Sequence, residues 1–426
     1  MRFRFAALAA LVAVVVVAIP ARAADRLTLD DAFQRVAQSH PELRLFGSRA
    51  DVLSAERDRA NLRPALVGGA SVENAFGIND ARGVQAAELT LTLASVFERG
   101  GKLDARRTLA QSRIDALAVQ REARRIDLLA EVARRYLAIV AAQQQRDIAR
   151  FDIGQRQRTV AGARQRLQAG ASPESAVLTA QAALARADLD RARAEQRVIA
   201  GRQHLAALWG EREPTFDVVA GDPIVLPDVA DFSALAALLD RTPELTQFVG
   251  EQRIREARLQ LARTSGTADI EWQVGVRRLQ ALDDVALVGS VSMPLGASSR
   301  AQPEIRVAEA ELAALEIERE VKGLSLYSTL AEAHGRYRVA QLEVQRMQTD
   351  VLPKLGKAEA AAERAYRGGA ISYLEWAQLQ SERTQGRKQQ LDAALDAQRA
   401  LIEIQRLTGE AFVASPSSQN RKGTTP

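Results

Sequence analysis

The sequence predicts a mainly α-helical protein with a small β part, built from two internal repeats that each contain a long α-helical hairpin and a pair of β-strands. Three observations lead to this fold class: an internal duplication, two exceptionally long helical segments, and short alternating segments ahead of each long helix. The composition agrees, because 47% apolar, 26% charged and only 4% aromatic residues, with Ala abundant throughout, favour long helices packed closely through small side chains.

The duplication has a period of about 200 residues, which is far longer than a solenoid repeat. Residues 166–172 match residues 365–372 around a shared Gly-Ala pair, and Leu-Trp-Gly at 208–210 matches Leu-Thr-Gly at 407–409. The number of residues between matching positions changes slightly along the chain, as loop insertions and deletions would produce. We therefore expect two copies of one structural unit.

The first 23 residues have the features of a secretory signal peptide. Arg2 and Arg4 precede an apolar run from Phe5 to Ile19, and a small-residue sequence places the cleavage site before Ala24. A membrane anchor is the less favoured alternative, because the run is shorter than the ~20 residues that a spanning helix needs. The mature chain is expected to be exported.

The exported chain is expected to form one structural domain over residues 24–412. Its first repeat covers 24–210, a linker covers 211–228 and the second repeat covers 229–412. Residues 413–426 are polar and are predicted to be a disordered tail.

Each repeat contains one very long helical segment. Residues 102–169 lack Pro and carry apolar residues at spacings of three or four, which predicts a helix roughly 100 Å long. Because no core of a single chain can cover such a rod, it must lie along other helices. Residues 302–367 repeat the pattern, but Pro353 should kink or break the second helix.

A Gly turn follows each long helix. Gly170 is predicted as the residue that ends the first one, with Ser172 capping the next helix and Pro173 at its first position. Gly369 should end the second long helix before Ser372. The chain thus contains two helical hairpins.

Four segments alternate apolar and polar residues, two of them before each long helix. They run through Leu66–Phe76, Leu89–Leu93, Ile270–Arg277 and Val285–Met293. Strands of this kind fit a transmembrane barrel with one face to lipid, although alternation alone fits soluble hairpins on a core equally well. Four strands cannot close a transmembrane barrel, so several chains would have to contribute to one.

No motif for catalysis or metal binding is present. The chain has no Cys, its three His residues (His40, His204 and His334) are far apart, and it lacks the nucleophile-elbow and phosphate-loop motifs. We expect no enzymatic activity and no cofactor. Nucleic-acid binding is not expected either, because three of the five net positive charges lie in the first 23 residues and the other basic residues alternate with acidic ones.

Taken together, these features resemble the TolC-type outer-membrane factors of tripartite exporters, the outer membrane efflux protein family. The resemblance covers nearly all of residues 25–410. In that family three chains form a twelve-stranded outer-membrane β-barrel that a periplasmic α-helical barrel continues. The segments that carry the resemblance are Leu27–Ala32, His40–Leu43, Phe97–Lys102, Val351–Pro353 and the two Gly turns.

The resemblance implies a passive conduit: a homotrimer embedded in outer-membrane lipid, with a periplasmic extension, that works with a periplasmic adaptor (membrane fusion) protein and an inner-membrane RND-type pump. The strand-helix junction, with Phe97, Gly100, Gly101 and Lys102, looks most like the CzcC-like branch, which serves heavy-metal pumps. The family often has Pro two residues before the Glu of this junction, where this chain has Val96. Metal cations are the expected cargo; a duct for drugs or other small molecules and a periplasmic coiled-coil tether are the alternatives.

The resemblance also implies a gate. Family members close their periplasmic end with acidic residues after the second Gly turn, where Glu375 holds the first position and Gln378 replaces the second. Three copies of Glu375 would form a negative ring that attracts cations. The spacing from Ser372 equally fits a helix-capping box, and the two roles are compatible.

The hairpin tips are the implied docking site for the adaptor. They comprise Gly170 and Ala171 in the first repeat, and Gly369 and Ala370 in the second. Small residues there would let two backbones approach closely, but the backbone conformation that ends a helix would explain the glycines equally well.

Overall fold

The structure, a computed structural model, describes residues 26–79, 82–219 and 221–412. The predicted signal peptide and the predicted C-terminal tail lie outside the described residues. Both repeats show the expected order of helices, two strands, a long helix, a turn and a final helix. The helices are α1 (Leu29–Ser39), α2 (Pro41–Ala60), α3 (Lys102–Gln168), α4 (Glu174–Ala206), α5 (Phe232–Ala236), α6 (Pro243–Thr264), α7 (Ala297–Arg346), α8 (Leu352–Arg367) and α9 (Tyr373–Thr408). The strands are β1 (Arg26–Leu27), β2 (Val67–Glu73), β3 (Glu88–Phe97), β4 (Asp217–Val218), β5 (Ile270–Leu279) and β6 (Asp284–Ser292).

The long helix is continuous in the first repeat and broken in the second. Helix α3 runs for 67 residues, so it is about 100 Å long. In the second repeat a π-helical turn, Met347–Val351, separates α7 from α8, and the N–H of Leu352 bonds to the carbonyl of Met347 five residues back. Pro353 follows at the start of α8. Because Pro lacks an N–H and its ring collides with the carbonyl four residues earlier, this confirms the predicted break.

The four predicted strands form one antiparallel sheet in the order β2-β3-β5-β6. The strand pairs of the two repeats join through β3 and β5, which pair from Glu88 opposite Leu279 to Phe97 opposite Ile270. Strands β2 and β6 are the edges of this sheet. Strands β1 and β4, which the sequence did not predict, form a short parallel pair that connects the start of the chain to the linker between the repeats.

The helices pack side by side through small residues, as the composition predicted. Gly201 of α4 shows how close they lie, because a Cβ placed there would be 2.9 Å from Cγ1 of the fully buried Ile139 in α3. Apolar clusters lie around Ile139, between α7 and α9 around Tyr337 and Ile404, and near the Gly turns around Trp376.

The helical layer next to the sheet has two outer members. Helix α2 contacts α3, α3 contacts α6, and α6 contacts α7, so α2 and α7 are the outermost helices of the layer. Further from the sheet, α3 lies between α4 and α9. Within the described residues, no helix is both long and apolar enough to cross a bilayer.

Candidate functional site

Both hairpin tips have the same backbone geometry. Gly170 has a φ of +70° and donates to the carbonyl of Leu167 at 2.9 Å, while Ala171 donates to the carbonyl of Arg166 at 2.8 Å. Gly369, with a φ of +80°, and Ala370 make the equivalent bonds to the carbonyls of Tyr366 and Ala365 at 3.1 and 2.8 Å. These paired bonds are the Schellman motif, which confirms the predicted helix ends. All four tip residues are exposed.

The predicted start of α4 is wrong by one residue. Helix α4 begins at Glu174, so Pro173 precedes the helix instead of being its first residue, and no side chain in the described ranges caps it. The reason is the backbone at Pro173, which is extended with a ψ of 157°. Ser172 therefore lies one residue too early to cap α4.

The two tips are joined by a stack of three side chains that the sequence analysis missed. The guanidinium of Arg166 lies 4.8 Å from the ring centre of Tyr366 and donates to the Tyr366 carbonyl at 2.9 Å. Tyr366 in turn stacks on Trp376, with 4.9 Å between ring centres. Both rings are almost fully buried, and the Tyr366 hydroxyl and the Trp376 indole N–H find no hydrogen-bond partner among the residues that the structure describes. A cleft of about 350 Å³ opens beside Arg166 between the two turns.

Glu375 forms the capping box that its spacing from Ser372 allowed. One carboxylate oxygen accepts bonds from the Ser372 backbone N–H at 2.8 Å and from its hydroxyl at 3.0 Å, while the hydroxyl accepts from the Glu375 N–H at 3.4 Å. The bond from the Ser372 backbone, followed by the one from its side chain, lowers the pKa of Glu375 below its usual range. Gln378, one turn later and also exposed, donates to Glu382 at 3.1 Å.

The strand-helix junction combines two left-handed glycines with an ion pair. Gly100 and Gly101 have φ values of +74° and +77°, and Gly101 precedes the first residue of α3. Lys102 lies 2.7 Å from the carboxylate of Asp269, which also accepts the backbone N–H of Arg99 at 3.1 Å. Phe97, at the end of β3, is 62% exposed.

Asp269 links the two repeats at this junction. It directly precedes β5, whereas Lys102 directly follows the turn after β3. Burial alone would raise the pKa of Asp269, but the bonds from Lys102 and from the Arg99 N–H outweigh it and hold the pKa below its usual range. The junction therefore fixes where α3 leaves the sheet.

A buried polar group lies between α3 and α9, in the half of the helical layer away from the sheet. Asp152 accepts a bond from the guanidinium of Arg156 at 3.2 Å and one from the hydroxyl of Thr384 at 2.9 Å. One turn further, Thr159 donates to Gln380 at 2.9 Å. All five residues are buried, and the two bonds between Asp152 and Thr384 and between Thr159 and Gln380 join the hairpins across this seam.

The sheet has one apolar and one polar face. Leu91, Val276 and Leu287 lie opposite one another on three strands, and their side chains are 50%, 44% and 87% exposed. The neighbouring row, with Thr90 opposite Arg277, points to the other face. An exposed apolar face of this extent marks a surface that contacts a membrane or another protein.

Comparison with known proteins shows which family the chain is similar to. The family model described as "Outer membrane efflux protein" matches residues 33–211. The chain is 26% identical over 314 residues to the cobalt-zinc-cadmium resistance protein CzcC of Cupriavidus metallidurans, covering 74% of this chain and 75% of CzcC. Residues 33–211 thus match the outer membrane efflux protein family, and three quarters of the chain are similar to CzcC.

Two further comparisons extend this efflux protein's likeness over more of its length. It is 29% identical over 356 residues to protein CyaE of Bordetella pertussis, covering 82% of the efflux protein and 70% of CyaE. The crystal structure of CusC superposes on it with a TM-score of 0.75 and 18% identity, covering 90% of this chain and 92% of that one.

These comparisons confirm the expected fold class and the expected function as an outer-membrane efflux channel component. The efflux protein is an outer-membrane channel component with a periplasmic helical part, and it is a passive conduit rather than an enzyme. Among the residues that the structure describes, no three His, Asp or Glu side chains come together in a group that could hold a metal ion.

Proposed function

We propose that three copies of this chain form one duct, anchored in outer-membrane lipid, that exports heavy-metal cations. An inner-membrane RND-type pump and a periplasmic adaptor protein would supply the cargo. In this duct residues 24–412 would form a single unit, to which the repeats 24–210 and 229–412 would each contribute one helical hairpin and two strands. The observation that carries the proposal is the open four-stranded sheet.

The sheet of one chain is incomplete by itself. Within the described part of the chain, no strand pairs with the outer sides of β2 and β6, so each presents a row of free backbone N–H and C=O groups. In hydrocarbon every such group must find a partner, and the exposed apolar face favours a hydrocarbon environment. Three copies, joined β6 to β2, would satisfy both edges and form a closed barrel of twelve strands.

The outer helices support the same interface between neighbouring chains. Leu45 and Val52 are exposed on one face of α2, at i and i+7. Ile317, Val321 and Leu324 are exposed on one face of α7, at i, i+4 and i+7. Two different apolar faces on opposite sides of one helical layer suit a heterologous interface, which closes into a ring.

The nature of the cargo rests on likeness to a relative. CzcC is named for resistance to cobalt, zinc and cadmium. Its match to this chain covers 75% of the length of CzcC. The exposed, ionised Glu375 fits such a cargo, because three copies near the axis of the duct would attract cations. Gln378 would contribute a neutral second position to this gate.

The tips are the proposed adaptor-docking site. Gly170 and Ala171, with Gly369 and Ala370, are exposed at the end of the helical layer furthest from the sheet. Glycine and alanine leave the backbone accessible, so the tips of a second helical hairpin can approach closely.

Deletion of the gene tests the cargo. We expect metal-challenged cells without it to retain more zinc, cobalt, cadmium or copper, and a re-expressed copy to reverse this. Unchanged metal content, with pump and adaptor expressed and no second duct present, would favour small-molecule export. The assembly is tested separately by the mass of the detergent-solubilised protein: three mature chains are expected, and a stable monomer would contradict the duct.

A further inference from the structure

The polar face of the sheet carries a charged network at one end. Arg277 of β5 donates to the carboxylate of Glu88 at 2.9 Å and to the hydroxyl of Thr90 at 3.0 Å, both on β3. A third strand takes part, because the Arg277 guanidinium lies 3.7 Å from the carboxylate of Glu73 on β2. Asn74 completes the network by donating to Glu88 at 2.9 Å.

The pairing register of β2, β3 and β5 explains why an arginine occupies position 277. Glu73 and Glu88 lie directly opposite each other in the β2-β3 pair. Like charges in that position destabilise a sheet. Arg277 lies opposite Thr90, one diagonal step from Glu88, so its guanidinium reaches both carboxylates. The network therefore holds two negative charges and one positive charge per chain.

Crowding indicates that the polar face is the inner face of a curved sheet. Thr92 lies on this face between Gly69 of β2 and Gly275 of β5. A Cβ on Gly69 would lie 2.8 Å from the Thr92 hydroxyl, and one on Gly275 would lie 2.9 Å from its methyl group. Thr90 is only 4% exposed, whereas Leu287 on the other face is 87% exposed. Glycines at such positions accommodate curvature toward their own side.

The network lies at the end of the sheet remote from the helices. Glu73 ends β2 and Glu88 begins β3, on either side of the loop that joins them. Arg277 lies near the end of β5, before the turn to β6. The other ends of these strands lead into α2, α3, α6 and α7. If the helices extend into the periplasm, the network lies at the cell exterior.

We propose that Glu73, Glu88 and Arg277 form an exit ring, which sets the ion preference of the duct at its outer mouth. The inference rests on the proposed trimeric duct. Each chain contributes one net negative charge, so the ring favours cations over anions as they leave. Arg277 limits this preference, since without it a cation would meet six uncompensated carboxylates.

Reversal potentials of the purified trimer in planar bilayers test the ring. The KCl gradient should be roughly tenfold, with the dilute side facing the loop end of the sheet. At about 0.01 M salt, charges act over ~30 Å, so the ring is weakly screened. We expect Arg277→Gln to raise the permeability ratio of K⁺ to Cl⁻ by about twofold or more. The double variant Glu73→Gln/Glu88→Gln leaves one positive charge per chain, and it should shift the preference toward anions.

Arg278→Gln is the matched control. Arg278 is the next residue of β5, points to the opposite face and pairs with Asp283. It should leave the reversal potential at the wild-type value, as should Arg277→Lys, which keeps the ring charge. Equal reversal potentials in Arg277→Gln, the double variant and Arg278→Gln would overturn the exit ring.

The failures of the two proposals are distinguishable. A wild-type protein that forms no trimer or conducts no current contradicts the duct. If the wild-type trimer conducts and the ring variants have the same ion preference as the wild type, only the exit ring is contradicted. If Arg277→Gln does not assemble, the double variant decides the question, because Gln keeps an acceptor for Arg277 and removes the like-charge pair.

Discussion

Arg166 and Tyr366, which lie about 200 residues apart on the two repeats, meet face to face at the hairpin tips. The guanidinium is 4.8 Å from the ring centre and also bonds the Tyr366 carbonyl. We expect Arg166→Ala to lower the free energy of unfolding by about 1–2 kcal/mol per chain, since it removes a cation–π contact and a charged hydrogen bond. Thermal unfolding in detergent, followed by circular dichroism, measures this.

Arg164→Ala is the control for this contact. Arg164 lies on the same turn of α3 but is exposed. Its removal should change stability by less than about 0.5 kcal/mol. Equal losses in the two variants would show that the stack does not hold the tips together.

Glu375→Gln tests the gate against the cap. A gate role predicts a lower cation preference in planar bilayers with an intact trimer, because three negative charges disappear from the ring. Glu382→Gln removes an exposed charge two turns further along α9, and it should leave the preference unchanged. If Glu375→Gln keeps the wild-type preference, the residue acts only as a helix cap.

The capping box also predicts a pH dependence. The pKa of Glu375 is lower in the folded chain than its ordinary value of 4.5. The carboxylate therefore contributes stability that is fully present above the ordinary value and is lost as the pH falls through the depressed one. The wild type should unfold at a higher temperature than Glu375→Gln at pH 7, and this difference should shrink toward pH 3. A difference independent of pH would argue against the ionised cap.

Two adjacent glycines at the strand-helix junction should respond differently to alanine. Both have positive φ, so each substitution should cost about 1 kcal/mol in backbone strain. Only at Gly100 would the new Cβ also collide with the protein, 2.6 Å from Cβ of Thr267, whereas the space at Gly101 is open. Gly100→Ala should therefore destabilise the chain distinctly more than Gly101→Ala in denaturant unfolding. Equal effects would mean that Thr267 moves away freely.

The buried seam between α3 and α9 should be sensitive to the loss of one partner. Asp152→Ala leaves Arg156 with an uncompensated buried charge and removes the acceptor of Thr384. We expect a loss of about 3 kcal/mol in the free energy of unfolding. Asp147→Ala, on the exposed side of the same helix, removes only surface ion pairs and should cost less than about 0.5 kcal/mol. Comparable losses would show that the seam is not held by Asp152.

Local chemistry made several elements predictable from the sequence. Gly170 and Gly369 end their helices because glycine adopts positive φ without strain. Pro353 breaks the second long helix because it lacks an N–H. The four strands follow from alternation, and the capping box follows from the spacing of Ser372 and Glu375. Each of these signals acts within a few residues.

The start of α4 shows where local chemistry was insufficient. Proline is common at the first position of a helix, and Ser172 is a good cap by residue type. The backbone leaving the Schellman turn nevertheless keeps Pro173 extended, so the helix starts one residue later. The same residue types fit both starts, and only the path of the chain out of the turn selects one.

The sequence by itself determined the two long helical segments and the four strands of the larger sheet, their order and, through the resemblance they carry, the family that the chain is similar to. Only the tertiary structure decided which elements touch. It joined β3 to β5, Lys102 to Asp269, Arg166 to Tyr366, and Arg277 to Glu73 and Glu88. Periodicity and capping report interactions within a few residues, whereas these partners come from different repeats. Their contacts depend on how two long hairpins and four strands pack in space, which no local pattern encodes.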